Sequence, residues 1–358
     1  MLDVVDGLQY FAITVMLLAG CCIFRLGLPL CEAELVTVVV PDDLPTIQEA
    51  INNVADGGVV FVKSGLYSEH VVVNRSMSIV GENRFTTVID GMGDDAVNIT
   101  ASGVNLTGFT IQGGKNVWPV AGIFLEHAGW CNIYGNTLTN GFYGLSLDES
   151  CYNNVSGNDI VDNSIGICGF NSSSNDIVGN NITGNSFAGI NLHLCSSNKI
   201  VENHIESNSK GMRLLDGADR NIIYHNNFIS NGGQVFIVNS FENIWDNGDT
   251  SGGNFWIDHN PPDEDRDKIG DMAYIIGVQA EDLYPLIYSY RCYQLGYVPS
   301  TDVNEDGTVS IVDMAMLAKA FGCKPGGSDW NPKADLDMNE TINIVDITLA
   351  AKNYGTNV

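Results

Sequence analysis

Two stretches near the end of the chain carry oxygen ligands at the spacing of a calcium loop. In DVNEDGTVSIVD, residues 302–313, Asp302, Asn304, Asp306, Thr308 and Asp313 fall at positions 1, 3, 5, 7 and 12, with Gly307 at position 6. Alternating acids and amides on a tight turn wrap a hard cation, Thr308 offering its backbone carbonyl and Ser310 holding a water. In DLDMNETINIVD, residues 335–346, the same places are taken by Asp335, Asp337, Asn339, Thr341 and Asp346. Glu340 stands there at position 6, so that turn is expected to be strained and its calcium weaker. A third acidic run, DEDRDKIGD at 263–271, sets Asp263, Asp265, Asp267 and Asp271 at positions 1, 3, 5 and 9, with Lys268 in place of the glycine. The expectation is two calcium ions in the paired loops. The run at 263–271 reads either as a third calcium site or as an exposed acidic turn.

The remaining candidates come from a repeat. Gly122-Ile123, Gly144-Leu145, Gly166-Ile167, Gly189-Ile190 and Gly211-Met212 recur at spacings of 22, 22, 23 and 22 residues. Asn136, Asn158, Asn180, Asn203 and Asn226 run in step, each followed two residues later by Leu, Ile or Phe. Such a period means a solenoid. Its arms are short, β-branched and broken by Asn, Gly and Ser, which fits strands of three to five residues and excludes helical return arms. The asparagines read as structural. Asn tolerates the left-handed backbone of tight corners, and stacked amides can hydrogen-bond from rung to rung. The apolar residue after each should point inward.

Aligned on glycine, the first outward column reads Phe124, Ser146, Cys168, Asn191, Arg213, and the second Glu126, Asp148, Phe170, His193, Leu215. Glu126 and Asp148 then stack on neighbouring rungs. Two close carboxylates push their pKa values apart, which yields an acid and a base or nucleophile. Arg213 is placed to hold a carboxylated sugar. Phe170 and His193 are placed to bind the substrate, Phe170 against a ring face. The plain alternative is a solvated outward face.

A solenoid must close its ends. In PTIQEAINNV (45–54), Pro45 precedes Ile47, Ala50, Ile51 and Val54 at helical spacing, which predicts a short amphipathic cap. The stretch VVVPDDLPTIQEAINNVADGGVVFVKSGLYSEHVVVNRSMSIVGEN resembles the opening of pectate lyases, pectin methylesterases and NosD-like β-helix proteins. With the rungs, the NosD-like resemblance covers roughly residues 36–287, ending in NIWDNGDTSGGNFWIDHN and IGDMAYIIGVQAEDLYPL, similar to that family's closing module. It implies an all-β right-handed parallel β-helix. The family's name implies copper delivery, and its broader carbohydrate-binding and sugar-hydrolysis class implies polysaccharide. Copper wants soft ligands or a histidine cluster. The six histidines fall at different points of the rung, so polysaccharide is the favoured reading.

The two late loops run into MAMLAKAFG and ITLAAKNYG, apolar stretches that read as exit helices ending at Gly322 and Gly355. No entry helix precedes the first loop. A duplicated half EF-hand of this kind resembles a type I dockerin, a small all-α calcium module. That resemblance implies docking onto a cohesin of a scaffold or surface protein. The residues at positions 10 and 11 of the loops, Ile311 and Val312 in one copy and Ile344 and Val345 in the other, are then the cohesin-contacting pairs, unless they pack one helix on the other.

Composition agrees with export. The 358 residues hold 43 acidic and 16 basic side chains, a formal charge of −27. That excludes a phosphate-backbone partner and suits hard cations and solubility outside the cell. An apolar run from Phe11 to Phe24 reads as a secretory signal with cleavage after Ala33; LAGC at 18–21 offers lipidation of Cys21 as the alternative. No later segment is long and apolar enough to span a bilayer. The six cysteines beyond the signal form no C-x-x-C pair, so zinc is not expected, and pairing after export is left open. The expected layout is signal 1–33, repeats 34–240, closing module 241–290, linker 291–301 and dockerin 302–358. Two functions stay open for the solenoid. One is binding of acidic polysaccharide, with or without hydrolase, lyase or esterase activity. The other is a non-catalytic structural or adhesion role at a surface.

Overall fold

A computed structural model describes residues 35–113, 118–278, 280–295, 300–304, 306–324, 327–336 and 341–355. The expected signal, its cleavage point and Cys21 lie outside the described residues. Each rung gives one strand to each of three parallel sheets, of nine, nine and eight strands. The first sheet runs from Leu35–Val40 to Ile222–Tyr224, and the second from Gly65–Ser68 to Phe255–Trp256. The third runs from Val71–Val73 to Val235–Val238. The chain is thus a parallel β-helix of about nine turns. Among the described residues no helix is long and apolar enough to cross a membrane.

The inward residues are those the repeat predicts. Leu138, Ile160, Ile182, Ile205 and Phe228 line one side of the core at 0% exposure. Ile133, Val155, Ile177, Ile200 and Ile223 line another, also fully buried. The glycine column has a steric cause. A Cβ on Gly144 would stand 2.7 Å from the carbonyl oxygen of Gly166, and one on Gly166 only 2.5 Å from that of Gly189. Adjacent rungs approach too closely here for any side chain.

The asparagines form ladders. The Asn158 backbone and side-chain nitrogens both donate to Asn180 Oδ1, each at 3.0 Å, and Asn180 donates in the same way to Asn203. Two further ladders, Asn153 to Asn243 and Asn163 to Asn231, occupy the other corners. One sequence expectation is corrected. The ladder asparagines are not the left-handed residues. That conformation belongs to the residue before each of them, such as Gly157, Gly179, Glu202 and Tyr152. The corner turns one residue early, which leaves each amide pointing inward along the axis. Strands of the third sheet also reach six residues, as in Ala121–Glu126 and Tyr143–Asp148.

Both ends are closed. The helix Ile47–Asn53, with Thr46 as N-cap, buries Ile47, Ala50 and Ile51 over the first rung. At the far end Trp256 is sandwiched between Phe228 and Tyr274, with ring centroids 4.4 and 4.2 Å away. The main ladder passes through Asn254 and stops at Asp282, which is fully buried. The segment expected as linker begins as a helix, Tyr290–Leu295, and Tyr290 stacks on His225 at 4.1 Å; residues 296–299 lie outside the described residues.

Burial pushes the Asp282 carboxyl up to about 7, against amide donation from Asn254, the Trp256 indole and the Tyr284 backbone. A folded pKa above the unfolded one contributes stability at low pH that is lost as pH rises through the folded value. Between roughly pH 4 and pH 7, wild-type stability should therefore fall relative to Asp282→Asn, by on the order of a few kcal/mol. Urea melts across that range measure the difference. A flat difference would show that the donors keep Asp282 ionised throughout.

Candidate functional site

Side chains alternate across a strand, so the fourth and sixth residues of the third-sheet strands face outward. The observed register pairs Phe124 with Ser146, Ser146 with Cys168, Cys168 with Asn191 and Asn191 with Arg213. It likewise pairs Glu126 with Asp148, Asp148 with Phe170 and Phe170 with His193. A groove of about 500 Å³ runs along this face, and Asp148, Phe170, His193 and Arg213 all line it. Glu126 sits beside Asp148 in register but is not part of the groove wall.

Sequence reasoning missed Asp95, Trp118 and Tyr143, which also line the groove. Asp95 comes from an irregular turn without a repeat marker. Trp118 comes from the connection between the strands that end at Gln112 and begin at Ala121, longer than those between later pairs such as Glu126 and Asn132. The break in period was the available signal, because loops over a rigid scaffold often carry function.

The electrostatics differ along the groove. Burial raises the Asp148 carboxyl above the usual aspartate value, helped by Glu149 and opposed by His127. Burial also raises Asp95, which accepts from the Ala121 amide at 2.6 Å. Burial pushes the Cys168 thiol up to about 12, so it is a small apolar wall element rather than a nucleophile. Arg213 is held on three sides. Its guanidinium lies 4.5 Å from the Phe187 ring and 5.6 Å from the Phe236 ring, and Nη1 donates to Asn191 Oδ1 at 2.8 Å. Among the described residues no carboxylate pairs with it. Phe170 and His193 stack at 5.3 Å, and His193 Nε2 lies 3.4 Å from Asp216. Cys131, Cys151, Cys168, Cys195 and Cys323 are all free thiols.

The acidic loops share one architecture. In the first, Asp302 accepts from the Asp306 and Gly307 amides at 3.1 and 2.7 Å, and Gly307 is left-handed at φ +88°. Asp313 is fully buried and accepts from Val303, Asn304 and Ser310 amides. Burial works against its charge, but those amides outweigh it, so its pKa lies below the usual aspartate value. In the second loop Asp346 repeats the scheme, accepting from Leu336 and Asn343 at 2.6 and 2.7 Å, and Asp335 is fully buried. Asp337, Asn339 and Glu340 lie outside the described residues, whereas Thr341 is described. Each closing aspartate also completes a capping box at the start of its exit helix, Ile311–Lys319 or Ile344–Lys352.

The run at 263–271 follows the same plan. Asp263 accepts from the Asp267 and Lys268 amides at 3.1 and 3.3 Å. Lys268 takes the left-handed position with φ +73°. Oxygens of Asp263, Asp265 and Asp267 lie within 4.8 Å of one another. Asp271 stands outside that trio and accepts from the Glu264 amide at 2.6 Å, as Asp313 does from Val303. The apolar pairs before the closing aspartates face solvent. Ile311 and Ile344 are 68% and 64% exposed, Val312 and Val345 49% and 45%.

Residues 51–261 match the family described as periplasmic copper-binding protein (NosD). Residues 300–353 match the type I dockerin domain, a calcium-binding module. Over 100 residues, 27% of this chain, the sequence is 35% identical to a cell surface glycoprotein of Methanothermus fervidus. That stretch spans 16% of the relative's length. Pectate lyase Pel9A has a similar solenoid at 15% identity and a TM-score of 0.44, over 58% of this chain and 68% of that one. A protein of Geobacillus virus E2, ORF18, does so at 17% identity and a TM-score of 0.48, over 62% and 56%.

The residues present do not fit copper. His70, His225 and His259 each engage a backbone carbonyl, and His127, His193 and His204 each face a different carboxylate. Among the described residues Asp263, Asp265 and Asp267 are the only three such ligands that converge, and carboxylate oxygens suit calcium over copper.

Proposed function

The chain belongs to the NosD family of β-helix proteins, and from that premise, with a dockerin at its end, we propose that it is a surface-attached binder of acidic polysaccharide. The observation that carries this reading is Arg213. In a chain with 43 acidic residues, this guanidinium is fixed between two rings and an amide and keeps its outer edge for an external carboxylate. A guanidinium held in place loses little entropy on binding a sugar carboxylate. Phe170 and Trp118 supply ring faces, and Asp148 and Asp95 supply hydrogen-bond partners for hydroxyl groups. Binding is the primary role. Where turnover accompanies it, Asp148 is the proton-carrying group, and Asp95 is better placed than Glu126 to act with it.

The dockerin supplies attachment. It takes two calcium ions and presents its two exposed Ile-Val pairs to a cohesin. The loop at 263–271 takes a third ion, a reading supported by its likeness to the loop at 302–308. The chain acts outside the cell, held on a scaffold or surface. A purely structural surface role is the second reading, favoured by the stretch shared with a cell surface glycoprotein.

The test is affinity electrophoresis of the full chain in gels containing polygalacturonate, alginate or a neutral β-glucan. Retention on the acidic gels should fall about tenfold in Arg213→Gln, the effect of losing one charge-assisted contact. New chain ends are assayed in parallel. Equal migration of the two proteins on every acidic gel would remove the groove as the binding site.

A further inference from the structure

Trp130 and Tyr152 occupy equivalent corner positions on neighbouring rungs, two residues before the paired Asn132 and Asn154. Their rings stack with centroids 5.3 Å apart and planes within 7°. They are 66% and 57% exposed, so the core does not account for them. Both are left-handed, at φ 53° and 62°. The corner demands that conformation, and a bulky side chain adopts it at a cost. Elsewhere in this column the position is held by Gly103, Ser174 and Ser197 and by an ion pair, Arg220 with Glu242, so that no other aromatic stands there. Large aromatic side chains in a strained, solvent-facing place are a sign of function rather than of packing.

The neighbour on the other side of Trp130 is Gly103, aligned with it through the pairing of Asn105 and Asn132. Gly103 offers no side chain, so the Trp130 ring face turned away from Tyr152 is uncovered by the corner residue beside it. The notch is one rung high, about 4.8 Å, which is the thickness a single stacked ring occupies. Its rim is polar. Ser76 Oγ stands 3.1 Å from the point a Cβ on Gly103 would occupy, and the His127–Glu149 ion pair flanks the same turn.

We propose that Trp130 and Tyr152 form a carbohydrate platform, separate from the groove, that stacks on the C–H face of a pyranose ring seated in the notch beside Gly103. This deepens the reading of the chain as a polysaccharide binder and rests on it. A flat aromatic face bounded by hydroxyl and charged groups matches a sugar ring, which is apolar on its face and polar at its edge.

Three variants of the full chain test it in the same gels. Trp130→Asn removes the platform and puts a residue that accepts left-handed backbone at the corner. Gly103→Asn accepts its own φ of +72° and fills the notch while leaving both rings in place. Each should weaken retention about tenfold, as expected for losing one aromatic stacking contact. The melting temperature should be unchanged or, for Trp130→Asn, raised. Retention unchanged in both variants overturns the platform, and so does retention lost together with a lowered melting temperature in Trp130→Asn, which is a packing role. Arg213→Gln separates the two sites. Loss in that variant alone leaves the groove reading and removes the platform. Loss in the corner variants on neutral β-glucan, with Arg213→Gln silent, keeps the platform without the acidic groove. A wild-type chain retained on none of the gels overturns both.

Discussion

Ile182→Asp should unfold the solenoid. Ile182 is fully buried and faces Ile160 and Ile205 on the adjoining rungs. A carboxylate there has no partner, and burying it unpaired costs several kcal/mol or forces it to stay protonated. The rungs depend on their neighbours, so the loss spreads along the array instead of staying local. Asn180→Ala should be nearly as damaging. It orphans the Asn158 backbone N–H, leaves the Asn158 amide with Ile133 as its remaining acceptor, and takes a donor from the Val155 carbonyl. Each buried group left unsatisfied costs about 1–3 kcal/mol. Far-UV circular dichroism during thermal melts measures both. A melting temperature for Ile182→Asp within a degree or two of wild type would mean that the side chain does not face the core.

Calcium removal should unfold the C-terminal module while the solenoid survives. Asp302, Asp313, Asp335 and Asp346 are buried or nearly so, and the module's apolar core is small, built on Val303, Leu317, Ile342 and Ala350. Without cations the loop acids repel one another, so ion-binding energy becomes folding energy. Chelator should therefore abolish a low-temperature helical transition and leave the β transition in place, lowered only by the loss of the ion at 263–271. It should also abolish capture by cohesins from the same source. Charging both apolar pairs (Ile311→Asp and Val312→Lys with Ile344→Asp and Val345→Lys) should abolish capture as well, while the calcium-dependent transition persists. Charging one pair should leave most of the capture, because the two loops present equivalent pairs. A helical signal indifferent to chelator would sink the calcium claim, and capture surviving both pairs of changes would move the interface elsewhere.

Much of this molecule is written in one dimension because its fold is nearly one-dimensional. Each rung contacts only the next, so a period of 22 residues fixes which side chains stack, and the inward column through Ile182 could be read directly. The turn of the acidic loop at 302–313 was equally legible, with Asp302 accepting from the Asp306 and Gly307 amides. Its acceptors and donors are local, and spacing along the chain alone decides which groups meet. The same locality let the outward columns, with Asp148 beside Glu126, be aligned correctly.

What the repeat could not reveal was decided by contacts between rungs and by departures from the period. The glycine column marks carbonyls less than 3 Å from any added Cβ, a distance no single rung contains. The left-handed residue precedes the ladder asparagine because the amide must point along the axis to reach the next rung. The groove wall needed Asp95 and Trp118, which come from irregular connections carrying no marker. Arg213 gained its three-sided clamp from Phe187 and Asn191 on one neighbouring rung and Phe236 on the other, brought together by stacking. Sequence spacing therefore set the lattice of positions, and tertiary packing decided which neighbours gave each position its chemistry.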